Sequence, residues 1–467
     1  MDELESDHDT ESTLSEPIVQ KSIEEVIVLE NHNEEWEEKY SMASSTNEFK
    51  EFFSKASHLM ERCIRQPFDP LFDYTEDRSN TVQSQKAEKA NIENVFYDSD
   101  LCQNKAVTSL SWSNKFEELF LATYCNSETS HENDGLAIIW SRHYPRRKEY
   151  ALHCETAISI ARFYPYNPSL IIGGTYTGQI VVWDLRVNTS YPVSRTSISS
   201  RSHTEPVFGM EFVGSSENSH NLITMSTDGR VCTWSMNKLD SPPDVVDLHH
   251  TSATREFNAE LVLTDPRRTS TYTTPILSQV MKFPKGEVNT FFVGSENGTI
   301  FSADRFGSST GINEAYTGHF APVTSIDTHP SIEFSDLMVS SSMDWTCKLW
   351  SQKKQSPLLS FEEFEDYVYD VKWSPQHPSL FAAADGAGYL SLWNVNIDQE
   401  MPVFKSSTGT SALNKISWSN DGKRIATGSI SGHVYLYSLD DELSIPKQKE
   451  IETKLLESVI VDNLLGL

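Results

Sequence analysis

The chain has 467 residues, and its 67 Asp+Glu outnumber 38 Lys+Arg for a formal net charge of −29 at neutral pH. Such a surplus of carboxylates repels nucleic-acid phosphates and anionic lipid headgroups, which excludes both as direct partners. Hydrophobic residues make up 38% of the chain, enough for a sizeable core, yet no run reaches the roughly 18 apolar residues that a membrane span requires.

In chain order, residues 1–45 come first. Fourteen acidic residues fall within positions 1–40 against only Lys21 and Lys39, the composition of a disordered acidic arm. The opening MDELESDHDT is neither a secretory signal nor an arginine-rich transit peptide. Residues 46–66 follow with Phe49, Phe52, Phe53, Ala56, Leu59, Met60, Cys63 and Ile64 on one helical face, and Ser45 with Glu48 makes a capping box. The stretch 67–93 reads as a linker.

From residue 94 to 440 the chain repeats itself. Seven segments end alike: NDGLAIIW (133–140), YTGQIVVW (176–183), TDGRVCTW (227–234), ENGTIFSA (296–303), MDWTCKLW (343–350), GAGYLSLW (386–393) and ISGHVYLY (430–437). Their ends fall 43, 51, 69, 47, 43 and 44 residues apart. Five places before the end stands a glycine in six of them, at 135, 178, 229, 298, 388 and 432, as a tight hairpin turn with positive φ requires. Strands such as LIIGGT (170–175) and LMVSSS (337–342) precede the turns, and strands such as ISIARF (158–163) and YVYDVKW (367–373) precede those. Four short strands per unit at this period predict an all-β, seven-bladed WD-repeat β-propeller. The ring is expected to close through NVFYD (94–98) pairing with the last blade, with LSIPK (443–447) as the competing strand. The long third interval, of 69 residues, carries a Pro/Asp/Thr-rich insertion around 240–275, a surface loop by composition. A C-terminal tail, 441–467, ends in a second amphipathic helix built on Ile451, Leu455, Leu456, Val459, Ile460 and Leu464.

Catalytic signals are weak. GSSTG (307–311) matches a nucleophile-elbow pattern around Ser309, but in an inter-blade loop, without the strand–turn–helix that exposes such a serine. DGAG (385–388) lacks the third glycine and the helix of a phosphate cradle. His249 and His250 have no thiol or carboxylate partners in sequence, and the six cysteines (63, 102, 125, 154, 232, 347) form no C-x-x-C pair, so neither a metal site nor a disulfide frame is expected. His203 and His319, paired with Asp228 and Asp344, read as buried structural hydrogen bonds. RHYPRRK (142–148) reads as a solvated loop, with docking of an acidic partner as its functional alternative. Trp345 takes the turn position that the other repeats give to glycine. It either packs on the adjacent blade or protrudes from the propeller rim as a partner contact. The expectation is therefore a non-enzyme with no cofactor and no metal.

The repeat sequences are also specific. GGTYTGQIVVWD (173–184), HNLITMSTDGRVCTWS (220–235), VGSENGTIFSADRFGSSTGI (293–312), SSSMDWTCKLWS (340–351) and DYVYDVKWSPQHPSLFAAADGAGYLSLWN (366–394) resemble the cytoplasmic dynein intermediate chain family, over roughly residues 47–440. The resemblance includes the repeat in which Ala303 replaces Trp and the turn at Trp345. NEFKEFFSKASHLMERCI (47–64) is similar to the family's helix for a roadblock-type light chain, which implies a light-chain contact through Phe49, Phe52, Phe53, Ala56, Met60 and Cys63. The family implies a non-catalytic subunit of a minus-end-directed microtubule motor, in the cytoplasm and on the cytoskeleton. Its propeller would sit on the dynein heavy chain, with other dynein light chains and dynactin as further candidate partners. The family's long N-terminal dynactin helix is not evident, nor is a clear motif for the hub light chain, as if this sequence started late relative to the family. An axonemal intermediate chain, or an unrelated WD-repeat adaptor, is the competing reading.

Overall fold

The computed structural model describes residues 46, 49–50, 52–53, 56–57 and 60, and then 90–465 except 127–133, 188, 215–220, 237, 254–270, 308–309, 410 and 447–448. The expected acidic arm, most of the linker, Cys63 and Ser309 thus lie outside the described residues. The chain divides into two units, Met1–Gln85 and Lys86–Leu467, each treated by itself.

Among the described residues of the second unit, strands assemble into seven four-stranded antiparallel sheets and one separate two-stranded hairpin. The seven sheets are the blades of the propeller. Their innermost strands are Lys105–Trp112, Ile158–Phe163, Val207–Val213, Ser278–Lys282, Val323–Thr328, Val368–Trp373 and Leu413–Trp418, in blades 1 to 7. The second strands, such as Leu337–Ser342 in blade 5 and Leu380–Asp385 in blade 6, are buried along their whole length. They read as continuous runs of apolar and small residues because a neighbouring blade covers each face. The repeat-ending Trp140, Trp183, Trp234, Trp350 and Trp393 are among the largest fully buried side chains. Each fills the space between one blade and the next, so the core is a ring of inter-blade layers.

Closure is non-covalent. Ala90–Phe96 pairs antiparallel with Val434–Leu439 of blade 7, from Ala90 opposite Leu439 to Phe96 opposite Val434. The closing strand thus starts four residues earlier than the 94–98 read from sequence, inside the stretch read as linker. A bulge between Ile92 and Asn94 shifts its register. The competing segment is not a strand: Asp441–Ser444 is a short helix. Closure also grips blade 1, where Phe96 is fully buried and stands edge-on to Phe120 at 4.9 Å and tilted against Trp140 at 5.7 Å. Glu93 accepts from Arg142 of blade 1 at 3.0 Å and from Arg424 of blade 7 at 3.2 Å.

Five of the six aligned glycines have the positive φ expected of them: Gly178 (80°), Gly229 (79°), Gly298 (82°), Gly388 (87°) and Gly432 (81°). Gly135 does not, because it already belongs to the strand Gly135–Ser141. A side chain there would run into the Thr156 carbonyl oxygen, so close approach and not a turn requires the glycine. At Gly178 both constraints act, since a Cβ would sit 2.6 Å from the His203 carbonyl oxygen. Gly178→Val should therefore cost more than the ~1 kcal/mol of an average substitution, on the order of 3 kcal/mol, read as a lowered denaturation midpoint at unchanged m-value.

Of the insertion read as a surface loop, 254–270 lie outside the described residues, and its described ends contain strands. Asp244–Asp247 supplies the outer strand of blade 3, and His249–Ala253 pairs with Thr271–Pro275 as the separate hairpin. At the C-terminus the helix Lys449–Leu465 docks on blades 5 and 6. Leu456 is fully buried, with Val459, Ile460 and Leu464 packed beside it, whereas Ile451 and Leu455 face solvent. Asn396 donates to the Glu452 carboxylate at 2.7 Å, and Lys354 donates to the Asn463 carbonyl at 3.1 Å, fixing the helix at both ends.

Candidate interaction surfaces

In the first unit, the described residues Phe49, Lys50, Phe52, Phe53, Ala56, Ser57 and Met60 are helical, as the apolar spacing requires. Phe52, Phe53 and Met60 are 66%, 61% and 65% exposed, Phe49 is 41% exposed, and Ala56 is half-buried. Phe49 and Phe53, one turn apart, stack with ring centroids 6.0 Å apart. Three phenylalanines and a methionine in water are costly, at roughly 1.5–3 kcal/mol of unrealised burial for each side chain.

The propeller offers buried polar networks where catalysis would need exposed ones. In blade 5, His319 Nδ1 lies 2.8 Å from Asp344 Oδ2 and Nε2 lies 2.7 Å from Ser340 Oγ, which also accepts from Trp350 Nε1 at 2.8 Å. Burial pushes the His319 pKa down, so the ring is neutral, donating from Nδ1 and accepting from the serine. Burial alone would raise Asp344, but its interactions with His319, Thr346 and the Phe320 N–H together outweigh it and hold the carboxyl below its usual range. Blade 3 repeats the arrangement more loosely: His203 Nε2 lies 2.8 Å from Thr224 Oγ1, which accepts from Trp234, and His203 Nδ1 stands 3.7 Å from Asp228. Thr224 and Ser340 were not singled out from sequence, although each lies ten residues before its tryptophan. Blade 6 dispenses with the network. Phe364 and Ala383 stand at the histidine and serine positions, and Trp393 packs against Phe361 at 5.0 Å and Phe364 at 5.7 Å.

The central channel, a cavity of about 1070 Å³, is lined by inner strands and the loops that follow them. The same strand position carries Arg162, Glu211, Lys282, Asp327 and Lys372 in five successive blades, charges of alternating sign. Arg162 pairs with Glu211 at 3.0 Å, and Lys282 pairs with Glu211 at 3.2 Å and Asp327 at 3.4 Å. Burial pushes the Glu211 carboxyl up, but Arg162 and Lys282 bring it down to about 2. The first four of these charges pair across blade boundaries and tie blades 2 to 5 together, whereas Lys372 pairs with Asp370 of its own strand at 3.7 Å. Among the described residues no group of three or more His, Cys, Asp and Glu side chains is placed to hold a metal ion.

The basic loop is partly spent in the same way, since Arg142 binds Glu93 and Lys148 binds Asp98 at 2.9 Å. Trp345 both packs on the adjacent blade and stays half exposed at the rim. Its backbone is left-handed (φ 67°), a conformation that costs a residue with a side chain about 1–2 kcal/mol. Its ring stands edge-on to Tyr367 of blade 6 at 6.5 Å and is still 48% exposed. Beside it, and missed in the sequence, is Phe320, 94% exposed.

Residues 94–225 match the family described as the dynein axonemal intermediate chain 3 WD40 domain, and residues 312–351 and 401–438 match the WD domain, G-beta repeat. Over 434 residues the chain is 38% identical to a cytoplasmic dynein 1 intermediate chain from Drosophila melanogaster, covering 91% of this chain and 62% of that protein.

Proposed function

The chain belongs to the dynein intermediate chain family, and from that premise we propose that it is a non-catalytic intermediate chain of a cytoplasmic dynein motor. In this reading the propeller sits on the heavy chain, and the helix at 46–66 takes a roadblock-type light chain through Phe49, Phe52, Phe53, Ala56, Met60 and Cys63. Other light chains and dynactin are further partners, and the complex acts in the cytoplasm on microtubules. In this reading the ATPase belongs to another subunit, which agrees with the burial of the propeller's His–Asp networks among the described residues.

One observation carries the reading. The 91% of the chain aligned with the cytoplasmic relative is more than the propeller, strands from Ala90 to Leu439, can account for. A shared propeller alone would not produce that. The match to the axonemal WD40 domain family supports a second reading, an axonemal intermediate chain, over the narrower span 94–225.

Affinity purification of the tagged full-length chain followed by mass spectrometry tests both. A cytoplasmic dynein heavy chain should dominate the co-purified protein. Dominance of an axonemal heavy chain would select the second reading, and ubiquitin or chromatin machinery without any heavy chain would sink both.

A further inference from the structure

One face of the propeller carries the loops that enter each blade and the turns between second and third strands; the channel lining described above runs to the loops of the opposite face. On the first face, at the boundary of blades 5 and 6, three aromatic side chains are exposed together: Phe320 (94%), Trp345 (48%) and Tyr367 (44%). The buried network below fixes their arrangement. Asp344 Oδ2 accepts from His319 Nδ1–H at 2.8 Å and from the Phe320 backbone N–H at 3.2 Å. Phe320 follows His319 and Trp345 follows Asp344, so this one carboxylate ties together the backbones that carry the two rings. The edge contact between Trp345 and Tyr367 extends the patch onto the next blade. With the backbones fixed this way, a partner that covers the rings has only side-chain rotamers left to order.

Charge indicates what would cover them. The loop leading to Tyr367 reads FEEFEDY, with Glu362, Glu363 and Glu365 exposed, and the cation placed against it is Lys405, 2.8 Å from Glu365. An acidic rim beside open aromatic faces repels an acidic segment and attracts a basic one, by charge and by cation–π contact. The patch bridges two blades at a rim and is no enclosed pocket, so its occupant is a protein segment and not a small molecule.

We propose that this patch is a docking site for a partner segment with an apolar anchor flanked by lysine and arginine. The inference rests on the scaffold reading above, and the strained turn at Trp345 agrees with it: glycine would serve the fold better there, but only a large side chain serves a partner.

The test uses the full chain and a synthetic amphipathic helical peptide with leucines on one face and Lys/Arg beside them. A second peptide with Glu at the basic positions is the control. The basic peptide should bind saturably, weaken as salt rises, and protect the amides of 317–322, 343–346 and 362–367 from hydrogen exchange. The control should not bind. Trp345→Gly restores the residue that five other turns use, so this variant should melt at or above the wild-type temperature and still lose at least ~10-fold in affinity. No saturable binding by wild type, equal binding of the acidic control, protection elsewhere, or undiminished affinity in Trp345→Gly would each overturn the proposal. Heavy-chain co-purification is scored separately: its absence with peptide binding intact would remove the motor reading and leave this surface standing.

Discussion

A chain beginning at residue 101 should melt far below one beginning at Lys86, by ten degrees or more, and should aggregate on heating. The two differ by the strand Ala90–Phe96 and the turn that follows it. Without that strand the outer edge of Val434–Leu439 is an unpaired ladder across a six-residue register, the kind of edge that recruits other chains. The fully buried Phe96 is lost from the layer between blades 7 and 1, and removing a buried phenylalanine ring alone costs about 3–5 kcal/mol. Glu93 goes too, leaving Arg142 and Arg424 without the carboxylate that joins their blades. Against a typical domain stability of ~5–15 kcal/mol, these losses consume a large share. Phe96→Ala in the full chain should fall between the two truncations. Equal melting temperatures for the chains starting at 86 and 101 would refute closure by this strand while leaving the seven sheets in place.

The same strand shows where the sequence could be read and where it could not. Blades announce themselves because inter-blade packing demands a large ring at the end of each third strand, and the chain supplies Trp or Tyr there six times in seven. The closing strand packs against neighbours at its two ends: in ANIENVF only Ala90 and Phe96 are buried, and a bulge breaks the alternation between them. Period-two reading therefore finds its second half and misses its first. Gly135 misled for a related reason. Counting back from Trp140 assumes a turn of fixed length, and in blade 1 that count lands inside the strand. Phe320 was invisible because TGHFAP does not say which way one aromatic points, and only the tie from Asp344 to the Phe320 N–H turns it outward. The histidines were legible as structural, but their serine and threonine partners sit on another strand, where a small polar residue carries no signal of its own.

On the proposed function, Phe52→Asp with Phe53→Asp should abolish co-purification of a roadblock-type light chain while the propeller melts as in wild type. Both rings are more than half exposed, and they belong to the unit Met1–Gln85, whereas the propeller strands belong to the other. A partner that covers them gains roughly 1.5–3 kcal/mol for each ring, and placing two carboxylates there replaces that gain with the cost of burying charge. The expected loss exceeds ~100-fold in affinity, beyond what a pull-down tolerates. Phe52→Leu with Phe53→Leu keeps the apolar face and the helix propensity, and should retain most of the binding. That separates lost contact from lost helix. Retained light-chain binding in the aspartate double variant would sink the assignment of this helix. A propeller that melts lower in the same variant would show instead that the two rings serve the fold. Heavy-chain co-purification should survive these substitutions, because in this reading the heavy chain is held by the propeller and the light chain by the helix.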